Sequence, residues 1–329
     1  MSALAPTLAA FFTDRLCTQR QASPRTVTAY RDTFRLLLTY ARERLGKPPS
    51  QLDIADLDAP LVGAFLSWLE RDRGNSIRTR NTRLAAIHSL MRYAALRHPE
   101  HADVIQRVLA IPTKRYERAL ISFLHPDEVD ALIAAVDRTS WTGRRDHALL
   151  VVAVQTGLRV SELTGLVLGD LQLGAGAHIR CQGKGRKQRT TPLTRHTVHV
   201  LRTWLRERGG AATDPVFPTV RGQALSADAV QWLLAKYTEA AALCCPSLRG
   251  KKVSPHVLRH TCAMNLLQSG VDPTVIALWL GHESVQTTQV YLHADLTIKE
   301  KALARIAPPN TPPGRYHAPD KLLAFLEAL

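Results

Sequence analysis

The segment SPHVLRHTCA, residues 254–263, sets His256, Arg259 and His260 at the start of a helix predicted over 255–269. Two histidines four apart suggest metal ligands, yet no Glu stands between them in the HExxH manner and no third ligand is convincing, so no metal is expected. The segment gains meaning beside four others in the same half of the chain. These are TGLRVSEL (156–163) around Arg159, QGKGRKQR (182–189) around Lys184, LGHES (280–284) around His282 and QVYLH (289–293) around Tyr291. Singly they say little. An Arg after a helix-ending glycine is ordinarily a surface residue or a structural ion pair, a basic hairpin tip is ordinarily solvated, and a lone Tyr is ordinarily core. The conjunction, in this order, is what carries information.

The residue types suit phosphodiester chemistry. A phosphorus centre under attack carries negative charge on its nonbridging oxygens, which permanently cationic, fork-shaped donors stabilise best. Arg159 and Arg259 fit that role. A tyrosine hydroxyl has a pKa near 10, so a nucleophilic Tyr needs a nearby proton acceptor and a cationic field.

In order and spacing the five segments closely resemble the tyrosine recombinase (phage integrase) family: Arg, a hairpin Lys, His-x-x-Arg, His, then Tyr nine residues after that His. Arg159, Lys184, His256, Arg259, His282 and Tyr291 fill these positions, and the flanking words TGLR-x-SEL, GKG, H-x-LRHT and LGH match as well. The resemblance spans residues 120–295; the N-terminal helices resemble the family's core-binding domain more loosely. It implies that Tyr291 attacks DNA to give a 3′-phosphotyrosine, that His256 assists proton transfer, that His282 donates to the phosphate and that Lys184 is the general acid for the leaving 5′ oxygen. One phosphoester replaces another, so no ATP and no cofactor is expected. Glu162, three residues after Arg159, either orients that guanidinium or forms an ordinary intrahelical pair, and it stays outside the catalytic set. Arg78, Arg80, Arg83, Arg186, Lys187 and Arg189 are expected phosphate contacts, positioning rather than specifying.

Composition agrees with a nucleic-acid partner. The 329 residues suffice for two domains of ordinary size, and 45% apolar residues with 22% charged ones describe a globular chain. The net charge of +15 is far from that of a neutral metabolic enzyme, and a polyanion is the simplest reason to carry such self-repulsion. Residues 1–118 hold 19 Lys and Arg against 11 Asp and Glu, leaving +7 for the remainder, so both halves are expected to touch the same polymer. The five cysteines, Cys17, Cys181, Cys244, Cys245 and Cys262, show no CxxC spacing and are read as reduced thiols. No apolar run approaches a transmembrane length and no signal peptide is evident, so a soluble, cytoplasmic protein acting on double-stranded DNA is expected.

The predicted fold class is mainly α: a helical N-terminal core-binding domain over 1–110, a linker over 111–121, a mostly α catalytic domain with a small antiparallel β-sheet over 122–305, and a tail over 306–329. Ser23-Pro24 reads as a cap with Pro at the first helical position, and Asp58-Ala59-Pro60 opens a second helix. A third follows Gly74-Asn75, with Leu84, Ile87, Leu90 and Met91 inward. IPTKRYERALIS (111–122) is either a basic linker near phosphates or a plain solvated loop. Helices are predicted at 125–136, 144–156, 194–207, 226–240, 255–269, 272–280 and 284–291, with a hairpin over 178–193. The family implies a C-shaped clamp on DNA and a homotetramer on two DNA sites, with related recombinases as further partners. The terminal KLLAFLEAL either packs on a neighbouring subunit or folds back on its own domain.

Among roles, a recombinase of a mobile element competes with a Xer-type recombinase that resolves chromosome dimers. A catalytically idle DNA-binding protein and a type IB topoisomerase are weaker alternatives. The LHADLTIKEKAL run after Tyr291 favours the mobile element.

Overall fold

The computed structural model describes residues 4–116, 121–183, 188–281, 288 and 291. The chain divides into two compact units, Met1–Ala119 and Leu120–Leu329, each closed around its own apolar core.

In the first unit, α1 (Leu4–Ala10) passes directly into a π-helical stretch, Phe11–Gln19. Helix α2 (Pro24–Leu45) starts as its sequence dictates: the Ser23 hydroxyl accepts the Thr26 amide, and Pro24 occupies a position that needs no amide partner. Asp58 caps α3 (Ala59–Arg71) and Ser76 caps α4 (Ile77–Ala95) in the same way; α5 (Ala102–Leu109) follows. Phe34, Leu37, Phe65, Leu69, Leu84 and Ile87 turn inward and are fully buried. Phe11, from the stretch before the first cap signal, sits among the rings of Tyr30, Phe34 and Tyr93. Burying such a side chain contributes about 1.5–3 kcal/mol, so the π-helical entry is part of the core.

The stretch expected to be a linker begins as part of this unit. The Asn81 side-chain amide donates to the Lys114 carbonyl (2.8 Å) while its oxygen accepts the Lys114 amide (3.1 Å), and Lys114 Nζ reaches Glu70 at 2.9 Å. Lys114 of that stretch is thus tied to α3 and α4.

The second unit opens with α6 (Pro126–Ala134) and α7 (Trp141–Thr156). Helix α7 begins three residues before the predicted 144, because Ser140 caps it by accepting the Gly143 amide. A one-turn helix, α8 (Val160–Thr164), leads to a three-stranded antiparallel sheet of order β1-β2-β3: Leu171–Gln172, His178–Gln182 and Gln188–Pro192. Then come α9 (Arg195–Arg208), α10 (Ala227–Ala241), α11 (Pro255–Gln268) and α12 (Pro273–Leu280). Register sets Cys181 opposite Arg189 and Ile179 opposite Thr191. Facing residues share one side of a sheet, and Ile179, Cys181 and Thr191 are buried, so Arg189 is turned inward with them. Helix α11 is fastened at its centre, where the Thr261 hydroxyl accepts the Leu124 amide and donates to the Val257 carbonyl, both at 2.9 Å.

Candidate active site

Helix α7 stops at Gly157, and two residues later Arg159 takes the cap position of α8. The Arg159 amide donates to Glu162 Oε2 at 2.7 Å and its Nη1 to Oε1 at 2.9 Å. Arg189 arrives from β3 and grips both oxygens of the same carboxylate at 2.9 Å each. Glu162 is thus a buried hub for two guanidiniums. Burial pushes its carboxyl up, but the hydrogen bonds and charges of Arg189 and Arg159 outweigh that and hold it below its ordinary value of 4.5.

A third guanidinium lies on α11. Arg259, 4% exposed, donates from Nη1 to the Gly157 carbonyl at 2.7 Å and from Nη2 to the Leu280 carbonyl at 2.6 Å. Arg159 Nη2 likewise donates to the Gly281 carbonyl at 2.9 Å. These oxygens belong to the C-terminal ends of α7 and α12, where carbonyls lack intrahelical partners and the helix dipole is negative. Two helix ends therefore seat the two arginines. Both ends need glycine: Gly157 (φ +62) and Gly281 (φ +64) are left-handed, and a Cβ would fall 2.7 Å from Leu280 Cδ2 and 2.5 Å from Arg189 Nη1 respectively. Burial and the neighbouring charges of Arg159 and Arg189 lower the Arg259 pKa to about 10. Three guanidiniums around one carboxylate leave net positive charge, which an anionic oxygen would relieve.

Tyr291 is 2% exposed and packs with Cys262, Met264, Leu267, Ile276 and Leu280 of α11 and α12. Its hydroxyl lies 3.0 Å from Nδ1 of His260, and the rings meet edge to face at 5.6 Å. Burial raises its pKa to about 12, against the opposing charge of Arg259. His256, one turn earlier on α11, is exposed and stacks on His260 at 6.5 Å.

The structure therefore brings together Arg159, Arg259 and Tyr291 of the expected set. It also adds Glu162 as the hub and His260, whose spacing from His256 speaks in sequence only to metal binding. Lys184, Arg186, Lys187 and His282 lie outside the described residues. Two of the expected phosphate contacts, Arg189 and Arg80, form internal ion pairs. Arg189 sits on the core face of β3 and is spent on Glu162. Arg80 is 6% exposed, with Nε 3.5 Å from Glu70 and Nη1 donating to the Pro112 carbonyl at 3.1 Å. Helical phase explains Arg80: it falls on the face of α4 that carries the buried Leu84 and Ile87. Arg83 is half-buried, and Arg78 is exposed at the start of α4.

The hub makes a stability prediction. Glu162→Gln leaves two partly buried guanidiniums without their carboxylate and is expected to cost about 3–5 kcal/mol. Because the folded carboxyl titrates below 4.5, its contribution is complete above that value and fades as pH falls through the lower folded one. The Tm difference between wild type and variant, followed by circular dichroism, should be constant at neutral pH and shrink in acid. An unchanged Tm at neutral pH would make the hub dispensable.

Comparison with known proteins shows the family. Residues 122–297 match the phage integrase family and residues 10–98 match the phage integrase N-terminal SAM-like domain. The putative integrase/recombinase y4rC of Sinorhizobium fredii is 57% identical over 328 residues, spanning 100% of this chain and 99% of that protein. The tyrosine recombinase XerC of Pelotomaculum thermopropionicum is 33% identical, spanning 84% of this chain and 89% of its own. A crystal structure of the XerH site-specific recombinase with a palindromic difH substrate superposes with a TM-score of 0.70 at 24% identity, covering 87% of this chain and 81% of that one. A mostly helical fold with a three-stranded sheet and a tyrosine beside clustered arginines defines a tyrosine recombinase. The chain belongs to the phage integrase family.

Proposed function

We propose that this chain cleaves and rejoins double-stranded DNA at specific sites for a mobile element, through a 3′-phosphotyrosyl link to Tyr291. The observation that carries the reading is the pairing of a buried tyrosine with a net-cationic seat. Arg159 and Arg259 are anchored through their outer nitrogens on helix-end carbonyls, and Arg259 also exerts its charge on Tyr291. The two guanidiniums hold the nonbridging oxygens of the phosphate. His256 assists proton transfer, His282 donates to the phosphate, and Lys184 protonates the leaving 5′ oxygen. Arg78, with Arg186 and Lys187, meets neighbouring phosphates. The working species is a homotetramer on two DNA sites in the cytoplasm, and no cofactor takes part. Among the described residues no helix is long and apolar enough to cross a membrane.

The relative named integrase/recombinase, matched over the whole chain, supports the mobile-element role. The match to a XerC supports the housekeeping alternative. One experiment separates them: the purified chain is incubated with DNA spanning its own gene and flanks, and with the rest of the chromosome, and covalent adducts are mapped. Adducts at the flanks, each with peptide on the 3′ phosphate and a free 5′ hydroxyl, are expected. Adducts at a single distant chromosomal site would favour the Xer role, and peptide on the 5′ phosphate would overturn the chemistry.

A further inference from the structure

A nucleophilic phenol must pass its proton to something, and the family resemblance gives His256 an assisting part in proton transfer. The structure sets a second imidazole directly on the oxygen. Nδ1 of His260 stands 3.0 Å from Tyr291 Oη, within hydrogen-bonding distance of the atom that attacks. His260 is half-buried on α11 beside Arg259, with His256 stacked on it and Tyr291 edge-on. Burial, then the charges of His256 and Arg259, push its pKa down to about 4. The ring is therefore uncharged at neutral pH. An uncharged imidazole with its proton on Nε2 presents the Nδ1 lone pair, which is what a phenol proton requires.

We propose that His260 is a catalytic residue, the group that accepts the Tyr291 proton at Nδ1 during cleavage and returns it during rejoining. The proposal rests on Tyr291 being the nucleophile. In the forward step the Oη–H bond breaks and the proton moves to Nδ1. Oη bonds to phosphorus, and the P–O5′ bond breaks with its electron pair on the 5′ oxygen, which takes a proton from the general acid expected in Lys184. In the reverse step the 5′ hydroxyl gives its proton back to the general acid expected in Lys184 and attacks phosphorus, the P–Oη bond breaks with its electron pair on Oη, and the imidazolium restores the proton to Oη. Resting acidities oppose a complete transfer before attack, because burial leaves the phenol a weak acid and the imidazole a weak base. The transfer therefore accompanies bond formation. An incoming phosphate favours it, since negative charge beside the imidazole stabilises its protonated form.

The test compares His260→Ala and His260→Asn with wild type in single-turnover cleavage of a nicked duplex built on a mapped cleavage site. Asn places an amide where Nδ1 stood, so it can hold the hydroxyl but cannot take its proton. Both variants are expected to form adduct about 10²–10⁴-fold more slowly, with duplex binding retained. Their rates should climb with pH as solution hydroxide replaces the lost acceptor, while wild type stays flatter. A duplex with sulfur replacing the bridging 5′ oxygen needs no acid for its leaving group, and it should leave both defects in place.

Three results overturn the proposal. Activity of the Asn variant within about threefold of wild type reduces His260 to a positioning residue. Rescue by the sulfur substrate moves its action to the leaving-group side. An unaltered Ala variant removes it from the reaction. If the Ala variant loses DNA binding through misfolding, the Asn variant decides alone. Adduct formation by Tyr291→Phe would sink the nucleophile assignment itself, an outcome distinct from all three.

Discussion

Tyr291→Phe is expected to abolish covalent adduct formation on a nicked suicide duplex while leaving duplex affinity nearly unchanged. The substitution removes one oxygen from a ring buried against Cys262, Met264 and Leu280, so packing is preserved while the hydrogen bond to His260 is lost. That bond contributes roughly 0.5–1.5 kcal/mol to stability, too little to unfold the unit. No covalent ester can form without the oxygen, so the loss is complete rather than graded. Denaturing gel electrophoresis of labelled DNA reads it directly. An adduct formed by the Phe variant would mean that another nucleophile is at work.

Arg159→Ala should separate chemistry from binding. Its Nη1 and Nη2 are occupied by Glu162 and the Gly281 carbonyl, yet the side chain remains 29% exposed, enough for a phosphate to reach it. Losing one preorganised cationic donor is expected to slow cleavage by about 10²–10³-fold. Affinity should fall little, because a protein on duplex DNA neutralises many phosphates and one contact is a small share of the total. Lysine at this position should not restore the rate, since one ammonium nitrogen cannot reproduce the planar fork whose two nitrogens reach Glu162 and the Gly281 carbonyl separately. Single-turnover cleavage beside mobility-shift titration makes the comparison. Equal losses in both would recast Arg159 as a binding residue.

Much of this was legible in sequence where a local rule governs. Caps at Ser23 and Asp58, the glycine stop at Gly157 and the hairpin over 178–193 each depend on a few adjacent residues, and they stand where those residues put them. The segments around Arg159, Arg259 and Tyr291 likewise singled out residues whose charges the structure sets near one another. What was missed depends on distant neighbours. Phe11 follows no cap signal and owes its place to Tyr30, Phe34 and Tyr93. Arg80 and Arg189 read as free positive charge because their carboxylates, Glu70 and Glu162, stand 10 and 27 residues away. The alternation of β3 held the clue for Arg189: Thr191, two residues on, shares its face and is buried. In sequence His260 shows only its four-residue spacing from His256, a pattern that speaks to metal binding. Its true neighbour lies 31 residues further along the chain.

The seating of arginines on helix-end carbonyls also bears on how the protein is made. Arg259 leans back on Gly157 across 102 residues, and Arg159 leans forward on Gly281 across 122. A ribosome adding about 5–20 residues per second finishes Gly281 roughly 6–24 s after Arg159. Throughout that interval the nascent chain carries its basic N-terminal unit but lacks the completed arginine cluster and Tyr291, the proposed phosphate seat and nucleophile. The order of synthesis thus keeps an unfinished chain from cutting the DNA it can already approach.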